Sequence, residues 1–165
     1  MISISRRSSC SGFRCPRDAS CPIPFWPDKT PDRISQLAKD ASGLILIVDD
    51  DETSRFLEGK MLEWLGFRTG FASNGEEALE AFETERYSAI LMDIVMPVMD
   101  GLQATARIRE IESVTKTHVP IIAVTADLML GNREKCFAAG VDHFLSKPFK
   151  KEELVATLTC VFCGA

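Results

Sequence analysis

The chain has 165 residues, 45% of them hydrophobic and 26% charged, which fits one ordinary globular domain with an extension. No run approaches the roughly 18 to 20 consecutive apolar residues that a membrane-crossing helix needs, so a membrane protein is not expected. The net charge of −5 is uneven, with seven Lys/Arg against four Asp/Glu in residues 1–43 and twelve against twenty in residues 44–165; the acidic second part argues against a nucleic-acid partner, because phosphate backbones are held by clustered cations.

Residues 1–43 contain five of the eight prolines. The stretch "SRRSSCSGFRCPRDASCPIPFWP" mixes Ser, Arg, Cys and Pro, and Pro22, Pro24 and Pro27 forbid helix and interrupt any strand ladder. The expectation is a disordered leader, with a short helix from Asp32 to Lys39. It lacks the apolar core of a secretory signal. Its Arg/Ser bias before Asp18 resembles an organelle transit peptide, but the prolines spoil the amphipathic helix such peptides use. A cytoplasmic location is therefore expected. Three of the six cysteines lie in this leader, so they do not form the framework of a stapled secreted domain. Cys160 and Cys163 make a CxxC at the end of a helical pattern, which reads as two ordinary thiols rather than a redox or zinc pair.

After Gly43 the pattern becomes regular. Leu44–Val48 is a continuous apolar run, a buried strand. From Thr53 to Leu65, Phe56, Leu57, Lys60, Met61, Trp64 and Leu65 recur at helical spacing until Gly66. Phe67–Ala72 predicts a strand, and Glu76–Thr84 a short helix with Ala78, Leu79 and Phe82 inward. Strand Ala89–Met92, helix Gly101–Ile111 and strand Ile121–Thr125 follow, then helix Leu128–Ala139, strand His143–Leu145 and helix Lys151–Phe162. Apolar strands alternating with amphipathic helices predict an α/β fold, a doubly wound five-stranded parallel sheet with five helices covering both faces.

In such sheets functional groups gather beyond the carboxyl ends of the strands. The first strand ends in Asp49-Asp50-Asp51-Glu52, the third in Asp93, the fourth in Thr125-Ala126 and the fifth in Ser146-Lys147-Pro148. Crowded carboxylates repel one another, and a divalent cation resolves this; hard oxygen ligands favour Mg²⁺. Lys147 adds a positive charge and Thr125 a hydroxyl donor. The set suits a phosphoryl group carried on a carboxylate, with Asp93 as nucleophile. Singly, each residue has a blander reading, since strand-end acids often cap helices and a lone lysine is usually solvated. Their joint placement on four strand ends argues against coincidence.

The motifs "LILIVDDDETSR", "AILMDIVMPVMDG", "PIIAVTA" and "HFLSKPF" resemble, in order and spacing, the successive signatures of the response-regulator receiver domain, the CheY-like family. The resemblance covers roughly residues 44 to 162 and implies a CheY-like, flavodoxin-like fold with a receiver domain at 44–163. It implies that Asp93 accepts a phosphoryl group from a phosphohistidine. Asp50 would ligate Mg²⁺ directly and Asp49 partly through water, with the Val95 backbone carbonyl completing the protein ligands. Thr125 would contact the phosphoryl oxygens, beside a small Ala126. Lys147 would pair with the phosphoryl group, and Pro148 would hold the turn through a cis bond. Such a domain catalyses its own phosphorylation and slow dephosphorylation rather than turning over a substrate. The switch aromatic would be Phe144, which has no hydroxyl, so a Thr125–Phe144 switch would rest on packing alone.

Haloacid dehalogenase-type phosphatases also use a strand-end Asp and Mg²⁺, but they need a second acid two residues after the nucleophile, where Val95 stands. A flavodoxin-type phosphate loop is not acidic, and no Gly-rich Lys loop is present. "MDIVMPVMDGLQATARIRE" and "PIIAVTADLMLGNREKCFAAGVDHFLSKPF" are especially similar to receivers of hybrid sensor kinases. The expected role is a stand-alone phosphorelay receiver without a DNA-binding output domain. Its phosphodonor would be a histidine kinase or histidine phosphotransfer protein. Its downstream protein would be met through helix 128–139, strand 143–145 and the last helix. The alternative is a receiver fragment of a hybrid histidine kinase.

Overall fold

The computed structural model describes residues 43–126 and 130–163, with side chains for 43–126 and 134–162. The expectations of a disordered leader and of a helix at Asp32–Lys39 lie outside the described residues, as do Leu128 and Met129. The elements are β1 (Leu44–Val48), α1 (Glu52–Trp64), β2 (Arg68–Ala72), α2 (Gly75–Thr84), β3 (Ala89–Asp93), α3 (Gly101–Thr115), β4 (Ile121–Thr125), α4 (Leu130–Ala139), β5 (His143–Ser146) and α5 (Lys151–Cys163). The five strands form one parallel sheet in the order β2-β1-β3-β4-β5. The expected α/β architecture is the one observed, and chain order reverses direction beside β1, between β2 and β3.

Strand alternation sorts the core into two layers. Ile45, Ile47, Leu91, Ile122 and Val124 point to one face and pack with Leu62 of α1 and with Leu154, Leu158 and Val161 of α5. Leu46, Val48, Ile90 and Met92 point to the other, against Ala78 of α2 and Ala104 and Ile108 of α3. Ala123 joins Cys136 and Val141 in a smaller cluster. β1, β3 and β4 are covered on both sides, which is why they read as continuous apolar runs rather than alternating ones.

Local chemistry starts the helices. Asp51 Oδ2 accepts the Ser54 N–H at 2.9 Å, Asn74 Oδ1 the Glu77 N–H at 3.0 Å, and Asp100 Oδ1 the Gln103 N–H at 2.8 Å. Each satisfies a first-turn donor that the helix leaves open. α3 runs four residues beyond the expected Ile111 and stops at Lys116, which adopts a left-handed φ of 54°.

α1 corrects part of the expected apolar spacing: Met61 and Leu65 pack on the core, but Phe56, Leu57 and Trp64 do not. Its buried residues are Glu58, Gly59 and Leu62, while Phe56, Leu57 and Trp64 are exposed. The expected stripe followed apolarity, but the helix turns its small residue to the sheet. A Cβ on Gly59 would come 2.9 Å from the Phe71 ring. Exposed aromatics here carry cations instead: Lys60 Nζ lies 5.5 Å from the Phe56 ring centre and Lys151 Nζ 3.1 Å from that of Trp64.

Candidate functional site: a strand-end acidic cluster with a buried lysine

Register alone brings the expected site together. Val48 of β1 pairs with Met92 of β3, so Asp49 and Asp93, the next residues, leave the sheet side by side. Asp93 is level with Val124, and Thr125 is level with Ser146, which places Lys147 just beyond. The Lys147 N–H donates to the Thr125 carbonyl at 2.8 Å, and the Lys147–Pro148 bond is cis.

Carboxylate oxygens of Asp49, Asp50 and Asp93 all lie within 4.8 Å of one another. Asp49 is buried, Asp93 half-buried and Asp50 exposed. The cluster is therefore open to solvent on the Asp50 side and closed on the Asp49 side. Lys147 Nζ bridges the inner pair, bonding to Asp49 Oδ2 and, at 2.6 Å, to Asp93 Oδ2. Burial alone would lower the pKa of this ammonium, but the bonds to Asp49 and Asp93 outweigh it and the net direction is upward. Lys147 stays charged.

The remaining carboxylate oxygens are held from the backbone. The Asp51 N–H donates to Asp49 Oδ1 at 2.8 Å, and the Val95 N–H to Asp93 Oδ1 at 3.0 Å. Arg55 of α1 reaches back to the Asp49 carbonyl at 2.5 Å. One oxygen of Asp93 is thus fixed by a neutral donor and the other by a cation.

The loop after β3 approaches its own strand closely. A Cβ on Gly101 would lie 2.0 Å from the Asp93 carbonyl oxygen, so steric closeness demands glycine there. In the same loop Val98 has a φ of 68°, a left-handed conformation that β-branched residues rarely adopt.

Thr125 is buried at the end of β4. Phe144 is half-buried, level with Ala123, and its ring meets that of Phe137 of α4 edge-to-face at 4.9 Å between centres. Val95 is 76% exposed on the open side of the cluster. Cys160 is half-buried, and the side chain of Cys163 lies outside the described residues.

One residue of this neighbourhood was not anticipated. Glu58, two turns into α1, is only 5% exposed. Burial pushes its carboxyl up to about 7; Lys147 opposes the shift, and Asp49 and Asp93 add to it. In sequence Glu58 is one more acid on a charged helix, and only the observed rotation of α1 shows that it faces inward.

Comparison with known proteins gives a consistent picture. The family model of the response regulator receiver domain matches residues 45–159. Hybrid signal transduction histidine kinase G of Dictyostelium discoideum is 46% identical over 112 residues, 67% of this chain but 3% of that kinase. Eight of the curated relatives, this kinase among them, are much longer than the chain, the matched part being 3% to 14% of their lengths. Among solved structures, the receiver domain of sensor histidine kinase PA1611 from Pseudomonas aeruginosa, with a magnesium ion coordinated in its active-site cleft, is 40% identical with a TM-score of 0.66. The alignment covers 74% of this chain and 98% of that one. The receiver domain of Ssk1, in complex with the histidine phosphotransfer protein Ypd1 of Saccharomyces cerevisiae, was matched at 27% identity and a TM-score of 0.67, covering 73% of this chain and 88% of that chain. With its fold, its strand-end acids and the matched family model in agreement, the chain belongs to the response regulator receiver domain family, the receivers of two-component and phosphorelay systems.

Proposed function

We propose that the chain is a phosphorelay receiver, its domain spanning 44–163, that takes a phosphoryl group on Asp93 from a phosphohistidine of a histidine kinase or histidine phosphotransfer protein. The observation that carries this reading is the lysine bridge: Lys147 holds Asp93 Oδ2 while the Val95 N–H holds Oδ1. A carboxylate so fixed presents an oxygen in a defined direction, and orientation of this kind supplies much of the rate in a transfer between two bound partners.

In the transfer, an Asp93 oxygen forms a bond to phosphorus as the phosphorus–nitrogen bond of the phosphoimidazole breaks. The bonding pair returns to the ring nitrogen, leaving an acyl phosphate on Asp93 and a histidine on the donor. Lys147 then offers its ammonium to the arriving phosphoryl oxygens, and Thr125 its hydroxyl. Asp49, Asp50 and Asp93 fit a Mg²⁺ ion, because three hard oxygen donors lie within 4.8 Å and the Asp50 side stays open for water. The Val95 carbonyl would complete the protein ligands. Bound there, Mg²⁺ supplies charge neutralisation for the phosphoryl oxygens. Output would pass through the surface of α4, β5 and α5 to a downstream protein, with Thr125 and Phe144 as the switch.

A second reading, the receiver portion of a hybrid histidine kinase, is favoured by the curated relatives, which include hybrid kinases. Both readings require the same chemistry. Incubation with acetyl phosphate and Mg²⁺ tests it: Asp50→Ala or excess chelator abolishes labelling, and undiminished labelling in chelator refutes the metal's role.

A further inference from the structure

Every polar atom of Asp49, the buried acid that follows β1, is held in place. Its N–H donates to the Ala72 carbonyl at 3.2 Å, its Oδ1 accepts the Asp51 N–H at 2.8 Å, and its Oδ2 accepts from Lys147. Beyond Ala72 the ladder to β2 turns away, because the Ser73 N–H donates to the Glu77 carboxylate at 2.7 Å. The Asp49 carbonyl is therefore left for a side chain to satisfy. Arg55 does so, its Nη1 donating at 2.5 Å. Arg55 is half-buried in the first turns of α1, and its own N–H donates to the Asp51 carbonyl at 3.0 Å. Side chain and main chain of this one residue thus bracket the Asp49-Asp50-Asp51 turn from both ends. Asp50, in the middle, is exposed, and among the described residues no hydrogen bond or ion pair holds its carboxylate.

We infer that Arg55 is a positioning residue of the acidic site: by holding the Asp49 carbonyl it fixes the direction in which Asp50 presents its carboxylate to a divalent cation. The inference deepens the proposed receiver chemistry and rests on that reading for its use of the metal. The Asp49 carbonyl and the Asp50 N–H belong to one planar peptide, so a donor that pins the first also orients the second. Rotation of that plane would swing Asp50 away from Asp49 and Asp93, whose oxygens now lie within 4.8 Å of its own. Ligands arranged before the cation arrives lose less freedom on binding it. Charge alone would act the opposite way. A guanidinium near three carboxylates repels an approaching cation, so its removal would tighten Mg²⁺ binding if charge were its whole effect. The guanidinium bonds to a carbonyl oxygen rather than to the carboxylates, so positioning dominates. The two effects differ in sign, and that makes them separable.

The test uses the full chain with Arg55→Met, which loses both donor and charge, and Arg55→Lys, which keeps a cation and a donor. Cooperative melts check that each folds. Mg²⁺ affinity is measured by calorimetry with no phosphodonor present. Arg55→Met should bind Mg²⁺ about tenfold more weakly than the wild type, the low end of what losing a partner behind a metal ligand causes. Arg55→Lys should recover most of that loss. Should Arg55→Met not fold, Arg55→Gln, which also lacks the charge, takes its place, with weakened binding again expected. Mg²⁺ binding in the uncharged variant as tight as the wild type's or tighter, or a loss no smaller in Arg55→Lys, would overturn the inference. Labelling of the wild type by acetyl phosphate is followed separately. A wild type that never accepts a phosphoryl group but whose Mg²⁺ affinity depends on Arg55 in this way would sink the receiver chemistry and leave the role of Arg55 standing.

Discussion

Lys147 Nζ lies 2.6 Å from Asp93 Oδ2, although 54 residues separate the two in the chain. The bond crosses from the end of β5 to the end of β3, over the intervening β4, and it ties the proposed acceptor carboxylate to the element proposed for output. A phosphoryl group on Asp93 would compete with the Asp49 carboxylate for the same ammonium.

The first prediction follows from this competition. Lys147→Ala removes the cation from a cluster of three acids, so Mg²⁺ should bind at least as tightly as in the wild type. The response to beryllofluoride should fall by at least tenfold, since charge-assisted bonds to the anion are lost. Calorimetry with each ligand separates the two effects. An unchanged beryllofluoride affinity would remove Lys147 from the anion site.

The burial of Glu58 carries a stability consequence. Its folded carboxyl titrates at about 7 against an ordinary 4.5. Between those values the folded chain keeps a proton that the unfolded chain releases, so stability is lost as pH rises from about 4.5 to about 7. The full penalty is on the order of 3 kcal/mol for a group this buried. Glu58→Leu should therefore stabilise the protein against urea at pH 8, and the advantage should shrink towards pH 5. An equal gain at both pH values would mean that packing, not charge, sets it.

The sheet and its strand-end acids were legible because burial and chemistry coincide in them. Leu44–Val48 and Ile121–Thr125 are buried throughout and read as apolar runs, and Asp93 stands out as the acid that ends such a run. The orientation of α1 was legible only in part. Met61, Leu62 and Leu65 face the core as their apolarity suggests, but Phe56, Leu57 and Trp64 are exposed while Glu58 and Gly59 are buried, so hydrophobicity located only part of the inward face. Long-range polar contacts were silent. Arg109 of α3 binds Asp142 at 2.6 Å and the Gly140 carbonyl at 2.9 Å, clamping the turn before β5. Nothing in the spacing of these residues announces the pairing.

The switch prediction concerns Phe144. Its ring is seated edge-to-face on Phe137, a contact of about 0.5 to 1.5 kcal/mol beyond area burial. If phosphorylation draws the Thr125 hydroxyl towards the phosphoryl group, Phe144 can fill the space vacated. Burial of a partly exposed ring contributes on the order of 1 to 2 kcal/mol, a partial population shift, so the unphosphorylated chain should already sample the active form. Thr125→Ala should shrink the difference in partner affinity with and without beryllofluoride, and Phe137→Ala should shrink it by raising binding in the absence of beryllofluoride. If Thr125→Ala and Phe144→Ala both leave the difference intact, this route is wrong.

A chain shortened to begin at Ser42 should fold and phosphorylate like the full chain, because the match to the receiver family begins at residue 45. Thermal melts and labelling of both lengths decide the matter. A large drop in melting temperature on shortening would show that the leader packs on the domain.

The central claim is that Asp93 is the acceptor, and intact-mass measurement after treatment with acetyl phosphate and Mg²⁺ tests it most directly. The wild type should gain the mass of one phosphoryl group, labile in base, and Asp93→Asn should gain none. Equal labelling of Asp93→Asn and the wild type would contradict the account.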